Sequence, residues 1–373
     1  MNDAVLHCES EPSDAEFMRL ALQLAEQGRG YVEPNPMVGC VIVRGGKVIG
    51  QGFHERFGEA HAEVNALRSC GDPSGATVYV TLEPCCHFGK TPPCTHALIE
   101  AGVRRVVVAM GDPFDQVNGG GLTDLQQAGI ETVSGVMDAE ARELNIAYLK
   151  RIQTGRPWCV AKWAMTVDGR IATTIGQSQW ITGDESRCDV HQLRGRSDAI
   201  LVGMGTVLAD DPLLTARPAG PRTATRVVFC SRRVPDASSK LIQSARDIPL
   251  LLIASESLGD ESLNPLEQLG ATVFRCGTAD PVEGVREAVA HLGSLGMTNV
   301  IVEGGGELLG SFVQSGQIDE YHVYMGAKVF GGRTAPGPIG GPGFEQLTDA
   351  VALRLIRTAQ IGEDVKLVYR GGC

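Results

Sequence analysis

His61-Ala62-Glu63, then Pro84-Cys85, then Cys94 nine residues further on, is the feature that most restricts how this chain can fold. An imidazole, two thiols and a carboxylate serve one another only if the backbone returns all of them to one place. Zinc takes nitrogen and sulfur ligands in a tetrahedron, and a catalytic site keeps one position open to water. Water there ionises near neutral pH and becomes a nucleophile. Glu63, two residues past His61, is placed to move protons to and from that water without being a ligand. Cysteine also packs in cores, but both motifs, in order, with a strand and a helix beneath them, favour the metal. Of Cys85 and Cys86, neighbours in an extended segment that face opposite sides, one ligates and the other packs.

The bulk properties narrow the class. A chain of 373 residues suggests two domains. Its 43% hydrophobic and 21% charged residues are ordinary for a globular protein. A net charge of -11 speaks against a nucleic-acid or anionic-membrane surface, and no apolar stretch approaches a bilayer span. The acidic, polar start does not resemble a signal peptide. Eleven irregularly spaced cysteines do not form a disulfide framework, so a reducing cytoplasm is the expected compartment.

Residues 1–12 read as a loose tail. Ser13 to Gln27 reads as a helix capped by Ser13 or Asp14 and ended by Gly28. Val38 to Val43 and Lys47 to Gly50 form a hairpin about Gly45-Gly46. Ala62 to Cys70 is helical. The strand Thr77 to Leu82 delivers Glu83-Pro84-Cys85 at its end, and the helix Thr95 to Ala101 puts Cys94 at a helix start, where free N–H groups favour a thiolate. The strand Arg105 to Met110, helix Leu122 to Ala128 and strand Ile130 to Val133 continue the alternation, which predicts a mostly parallel sheet with helices on its faces. A break is expected after Leu144 to Arg151, in Gln153–Pro157. Beyond it strands are expected at Trp158–Thr166, Ser197–Gly203, Arg226–Cys230, Leu250–Ala254, Thr272–Arg275, Asn299–Glu303, Glu320–Met325 and Val365–Tyr369. The reading is two α/β domains, 13–153 and 154–373.

Pro34-Asn35-Pro36-Met37-Val38-Gly39, Gly52-Phe53-His54, His61-Ala62-Glu63, Leu82-Glu83-Pro84-Cys85-Cys86-His87 and Gly89-Lys90-Thr91-Pro92-Pro93-Cys94 together give the first half a family resemblance. It resembles the riboflavin-pathway branch of the cytidine-deaminase-like superfamily, a three-layer α/β/α fold. Zinc base deaminases carry H-x-E followed by P-C-x-x-C; the longer spacing between Cys85 and Cys94 marks the branch. The resemblance implies that His61, Cys85 and Cys94 hold zinc, that Glu63 is the acid/base, and that Asn35 holds the heterocycle unless it is only a turn residue. His54, His87 and Lys90 fit as contacts to the ring or a sugar phosphate, with His87 also open to a role at the metal and Lys90 to that of a solvated loop lysine.

In the second half the matching stretches are Lys162 to Arg170, Ser178 to Thr182, Asp198 to Gly203, Thr206 to Arg217 and Glu303 to Leu309. They resemble the reductase partner of that deaminase, with a dihydrofolate-reductase-like fold, whereas residues 235–298 are nondescript. The glycines after strand Asn299–Glu303 lead into a helix start, which suits a dinucleotide pyrophosphate. The resemblance implies NADPH bound by Ala164, Trp180, Thr206, Asp210, Gly305 and Gly306. Ser231, with Arg232 and Arg233, is a candidate for the 2′-phosphate or a solvated basic turn. Lys162, Ser178, Arg194, Arg217 and Glu303 would hold the substrate ribose and its phosphate. The whole implies a bifunctional enzyme: zinc-dependent deamination of 2,5-diamino-6-(5-phosphoribosylamino)pyrimidin-4-one, then NADPH-dependent reduction of the ribosyl chain to ribityl. A small-molecule substrate, no nucleic acid, no membrane and a homo-oligomer formed through the second domain complete the expectation. A nucleoside or RNA deaminase, or a binding module without one activity, is the rival reading.

Overall fold

The computed structural model of the chain describes residues 13–87, 92–113 and 119–371. It forms two compact units that divide between Gln153 and Thr154. The tail before Pro12 and Lys90 lie outside the described residues.

The first unit is built from strands β1 (Gly39–Arg44), β2 (Lys47–Phe53), β3 (Thr77–Leu82), β4 (Arg105–Met110) and β5 (Glu131–Ser134). Their order is β2-β1-β3-β4-β5. The β1–β2 hairpin turns on Gly45 and Gly46, both at positive φ (57° and 71°), as a two-residue turn between twisted strands requires. β1 is antiparallel to β3, while β3, β4 and β5 run parallel.

Helices α1 (Asp14–Glu26), α2 (Ala62–Ser69), α3 (Cys94–Glu100), α4 (Gly120–Gln127), α5 (Asp138–Leu144) and α6 (Ile146–Thr154) cover this sheet. α1 starts in a capping box, with the Ser13 backbone N–H donating to the Glu16 carboxylate at 2.6 Å. The strand period of two sends alternate residues to opposite faces. Val41, Val43, Tyr79 and Val107 pack with Phe17, Met18 and Ala141 on one face. Cys40, Ile42, Val78, Val80 and Val106 pack with Ala66, Leu98 and Leu125 on the other. A sheet buried on both faces is a three-layer α/β/α sandwich.

The second unit holds β6 (Trp158–Thr166), β7 (Ala199–Gly203), β8 (Thr225–Cys230), β9 (Leu250–Ala254), β10 (Thr272–Arg275), β11 (Asn299–Gly304), β12 (Glu320–Gly326), β13 (Leu353–Ile361) and β14 (Asp364–Gly371). They form one sheet in the order β10-β9-β8-β7-β11-β6-β12-β14-β13. Seven strands are parallel, and β14 and β13 close the sheet antiparallel. Helices α7 (Asp184–Arg194), α8 (Met204–Asp210), α9 (Lys240–Gln243), α10 (Asp260–Gln268), α11 (Pro281–Ser294) and α12 (Gly306–Ser315) belong to this unit. α11 and α12 pack on one face through Val285, Val289, Leu292, Leu309 and Phe312. α9 and α10 cover the other through Leu241, Ile242, Leu263 and Leu266.

Three readings need adjustment. The expected break at Gln153–Pro157 is helical through Thr154 and turns at Gly155 (φ 68°). Strand β13 and helix α5 had no counterpart in the reading. The stretch 235–298, nondescript in its motifs, carries α9 to α11 beside the expected β9 and β10, and most of one apolar core.

α1 lies so close to β1 that a Cβ at Gly39 would stand 1.9 Å from the Ala21 carbonyl oxygen. Gly39→Ala must push helix from sheet, and overpacking of this kind costs about 3 kcal/mol. Urea unfolding followed by circular dichroism should show the midpoint fall by that free energy divided by the slope, with the slope itself unchanged.

Candidate active sites

The C-terminal ends of β3 and β4, the start of α2, the loops after α1 and β2, and α6 surround a cavity of about 360 Å³ in the first unit. His61 is the N-cap of α2 and Glu63 sits in its first turn; Cys94 opens α3. Cys85 Sγ is 3.5 Å and Cys94 Sγ 3.3 Å from His61 Nδ1, and the three ligand atoms lie within 4.8 Å of one another. Zinc–sulfur and zinc–nitrogen bonds of about 2.3 and 2.0 Å in a tetrahedron put ligand atoms roughly 3.5–3.8 Å apart, so this set fits the ion. The Cys94 backbone N–H donates to Cys85 Sγ at 3.4 Å. Cys86 faces the other way, where a Cβ on Gly120 would stand 2.8 Å from its sulfur.

The electrostatics favour a bound cation. The thiol of Cys94 hydrogen-bonds to Cys85, which drops the Cys85 thiol to about 4 although burial opposes it. The same bond, with burial, drives Cys94 well above the usual thiol range. Its bond to Cys85 raises His61. Glu63 is only 3% exposed, and burial first, then the Cys85 charge, pushes its carboxyl upward. It is therefore a carboxyl that can carry a proton into the cavity.

Asn35 and His54 line the same cavity and meet at 3.2 Å. His54 Nδ1 faces the Ala60 carbonyl at 3.1 Å and must donate to it. Nε2 then accepts from the Asn35 amide, which leaves the Asn35 carbonyl oxygen for a ligand. Burial lowers the His54 pKa and keeps this neutral tautomer. His87 also lines the cavity. Three lining groups were not anticipated: Asp112 at the end of β4, and Tyr148 and Arg151 on α6. The Tyr148 hydroxyl donates to Asp112 at 3.0 Å.

In the second unit the expected residues fall into two groups. Lys162, Arg194 and Glu303 come together: Arg194 Nε and Nη2 each donate to a Glu303 carboxylate oxygen at 2.6 Å. Burial would raise the Glu303 carboxyl, but the Arg194 charge outweighs it and holds it down at about 2. Burial pulls Lys162 down, partly offset by Glu303. His191, which sequence reading missed, sits within the field of Arg194, Arg217 and Glu303. Arg217 is exposed, and Ser178 is half-buried.

The other group follows the C-terminal ends of β11, β7 and β8. A Cβ on Gly304 would lie 2.9 Å from Thr206 Oγ1, and Gly305 takes a positive φ of 81° before α12 begins at Gly306. Only glycines let the chain pass Thr206 this closely and leave N–H groups of the helix start open to an anion. Asp210 accepts from Gln179 Nε2 at 3.4 Å, which brings the exposed Trp180 to the same end of the unit. The Arg187 guanidinium lies over the Trp180 ring. Ala164 is on β6, and Ser231 follows β8 on the surface.

A His/Cys/Cys cluster beside a buried carboxyl, on a three-layer sandwich, defines a zinc-dependent deaminase of the cytidine-deaminase type. The glycine-flanked helix start at the strand ends of the second unit defines a dinucleotide-dependent reductase with a dihydrofolate-reductase-like fold. Residues 11–110 match the cytidine and deoxycytidylate deaminase zinc-binding region, and residues 157–367 match the RibD C-terminal domain. The riboflavin biosynthesis protein RibD of Actinobacillus pleuropneumoniae is 42% identical over 96% of this chain and 95% of its own. That of Escherichia coli K12 is 41% identical over 95% and 98%. A solved Acinetobacter baumannii RibD superposes with a TM-score of 0.86 at 34% identity, covering 96% of this chain and 99% of its own. The Thermotoga maritima diaminohydroxyphosphoribosylaminopyrimidine deaminase/5-amino-6-(5-phosphoribosylamino)uracil reductase does so at 0.84 and 31%, with the same coverage. The chain belongs to the RibD family of bifunctional deaminase/reductases of riboflavin biosynthesis, with zinc in one unit and NADPH in the other.

Glu303 supports the fold as well as the site. Its carboxyl lies near 2 in the folded protein against a usual 4.5, so it contributes stability that is present above about pH 4.5 and lost as pH falls toward 2. That shift corresponds to about 3 kcal/mol. Glu303→Gln leaves Arg194 buried without its anion and should already be less stable at pH 7. The gap between wild type and variant in urea unfolding should close between pH 4.5 and 2; a constant gap would contradict the pairing.

Proposed function

We propose that the first unit hydrolyses the ring amine of 2,5-diamino-6-(5-phosphoribosylamino)pyrimidin-4-one, and that the second reduces the ribosyl chain of the deaminated product to ribityl with NADPH. The observation that carries the first step is the buried, protonatable Glu63 in one cavity with His61 and Cys85, which cluster with Cys94. The names of solved relatives support the substrate, since the Thermotoga maritima protein is titled by these two activities.

Zinc held by His61, Cys85 and Cys94 would lower the pKa of a water so that it attacks near neutral pH. Glu63 carries one proton of that water to the ring nitrogen, then carries the hydroxyl proton of the tetrahedral adduct to the amine, which leaves as ammonia as the carbonyl forms. A neutral amine is a poor leaving group, so the second transfer matters as much as the first. Asn35, its amide oriented by His54, holds the heterocycle. His87 contacts the ring or ribose, and Lys90 completes the sugar-phosphate contacts.

In the second unit Ala164, Trp180, Thr206, Asp210, Ser231, Gly305 and Gly306 would hold NADPH, whose nicotinamide would supply hydride to the anomeric carbon. Ser178, Arg194 and Arg217 orient the phosphoribosyl chain. Lys162, kept near Glu303, polarises the opening ribose. The chain works as a homo-oligomer in a reducing cytoplasm. Leu353 and Leu355, exposed on edge strand β13, support the first statement. The cysteines of the described residues, none of them in a disulfide, support the second.

Glu63→Gln should lower ammonia release from the phosphoribosylaminopyrimidine by at least about 10³-fold. Zinc content by mass spectrometry should stay at one per chain. NADPH oxidation on supplied deaminated substrate should be unchanged. Loss of both activities would reject the assignment of Glu63 to one site only.

A further inference from the structure

α6 closes one wall of the deaminase cavity with Tyr148, Arg151 and Ile152, which share a helix face by their spacing. Arg151 is the only arginine or lysine among the described residues that line it, whereas Glu59, Glu63, Glu83 and Asp112 are there too. An arginine facing that many acids is expected to be tied to one of them. Arg151 is not. Its only hydrogen bond among the described residues is a long one, 3.4 Å from Nη2 to the Pro34 carbonyl oxygen. Its Nε is buried with no acceptor. The nearby carboxylate, Asp112, accepts from the Tyr148 hydroxyl instead. A guanidinium held partly out of water with a donor unspent is costly, and an anion in the cavity would relieve it.

We propose that Arg151 receives the phosphate ester of the deaminase substrate. This rests on the phosphoribosylaminopyrimidine reading above. A planar fork of N–H donors matches two phosphate oxygens at once. The Pro34 carbonyl holds one end of that fork beside Asn35, the residue assigned to the heterocycle, so ring and phosphate are gripped by neighbouring parts of one wall. Tyr148 satisfies Asp112 and so keeps that carboxylate from capturing the guanidinium. The cavity thereby selects a phosphorylated pyrimidine over the free riboside.

The test uses the full-length, zinc-replete chain and two substrates: the phosphoribosylaminopyrimidine and the same compound with its phosphate removed. Ammonia release is measured for wild type, Arg151→Gln and Arg151→Lys. Zinc content and NADPH oxidation on deaminated substrate report folding of the two units. Wild type should prefer the phosphorylated compound. Arg151→Gln should lose about 100-fold in kcat/KM on it, mostly in KM, and change less than threefold on the dephosphorylated one. Arg151→Lys, which keeps the charge without the fork, should recover part of the loss. Equal losses on both substrates, or no loss on either, would overturn the proposal while leaving the substrate reading intact. No ammonia from either compound with wild type would overturn that reading, and this inference with it.

Discussion

The approach of two cysteine sulfurs to one imidazole nitrogen, at 3.5 and 3.3 Å, is the contact on which the first unit is arranged. Two thiolates and the Glu63 carboxylate cannot all be anions in a buried pocket without a compensating charge. The bond between the sulfurs pushes the Cys85 thiol down and, with burial, the Cys94 thiol up. A dication would satisfy both sulfurs. Each ligand arrives by a rigid route: His61 from a helix cap, Cys85 from a strand end, Cys94 from a helix start. The sheet core behind them is what keeps three segments, distant in sequence, in register.

Both units place their chemistry at the same kind of address. In the first, Cys85 and Asp112 follow the C-terminal ends of parallel strands β3 and β4. In the second, Thr206 and the Gly304–Gly306 turn follow β7 and β11, which are also parallel neighbours. Parallel strands leave their ends to loops and helix starts, where backbone N–H groups are unspent. Glu83 shows the same economy in reverse. Its buried carboxylate accepts from the N–H groups of Gly119 and Leu122, where α4 begins, so the strand end before Cys85 is tied to the next helix of the layer.

Of the strands placed to the residue, Thr77–Leu82, Arg105–Met110, Trp158–Thr166 and Leu250–Ala254 are interior to their sheets, where apolar runs mark them, and Thr272–Arg275 is an edge strand marked by Val273 and Phe274. β13 has the opposite character: an edge strand reading Leu-Arg-Leu-Ile-Arg-Thr, largely exposed, with no continuous apolar run. The α5–α6 break was equally hidden. It falls at Asn145, which is buried because its amide pairs with both backbone groups of Met37, more than a hundred residues away. No local pattern announces such a bond. The zinc residues were legible because their chemistry dictates residue types, and Asn35 and His54 because they sit within motifs. Arg151 was not, since an arginine near the end of an amphipathic helix reads as solvated until the fold turns it into a cavity.

Charge links the two units without requiring anything of their arrangement. A chain of net charge -11 repels a phosphorylated substrate at long range, so each site has to supply its own local cation. In the second unit Arg194 cannot be that cation alone, because its fork is already closed on Glu303. Arg217, exposed at the rim beside His191, has no carboxylate partner among the described residues. Arg151 stands in the same position in the first unit. On the proposed reading each unit keeps one guanidinium without a carboxylate partner among the described residues for the phosphate, Arg151 in the first, in addition to Lys90. The Arg194–Glu303 pair fixes the charge around Lys162, holding an ammonium that burial weakens beside a carboxylate that stays ionised. An interior arranged this way suits the proposed opening of the ribose, with the phosphate left to a charge that no carboxylate has claimed.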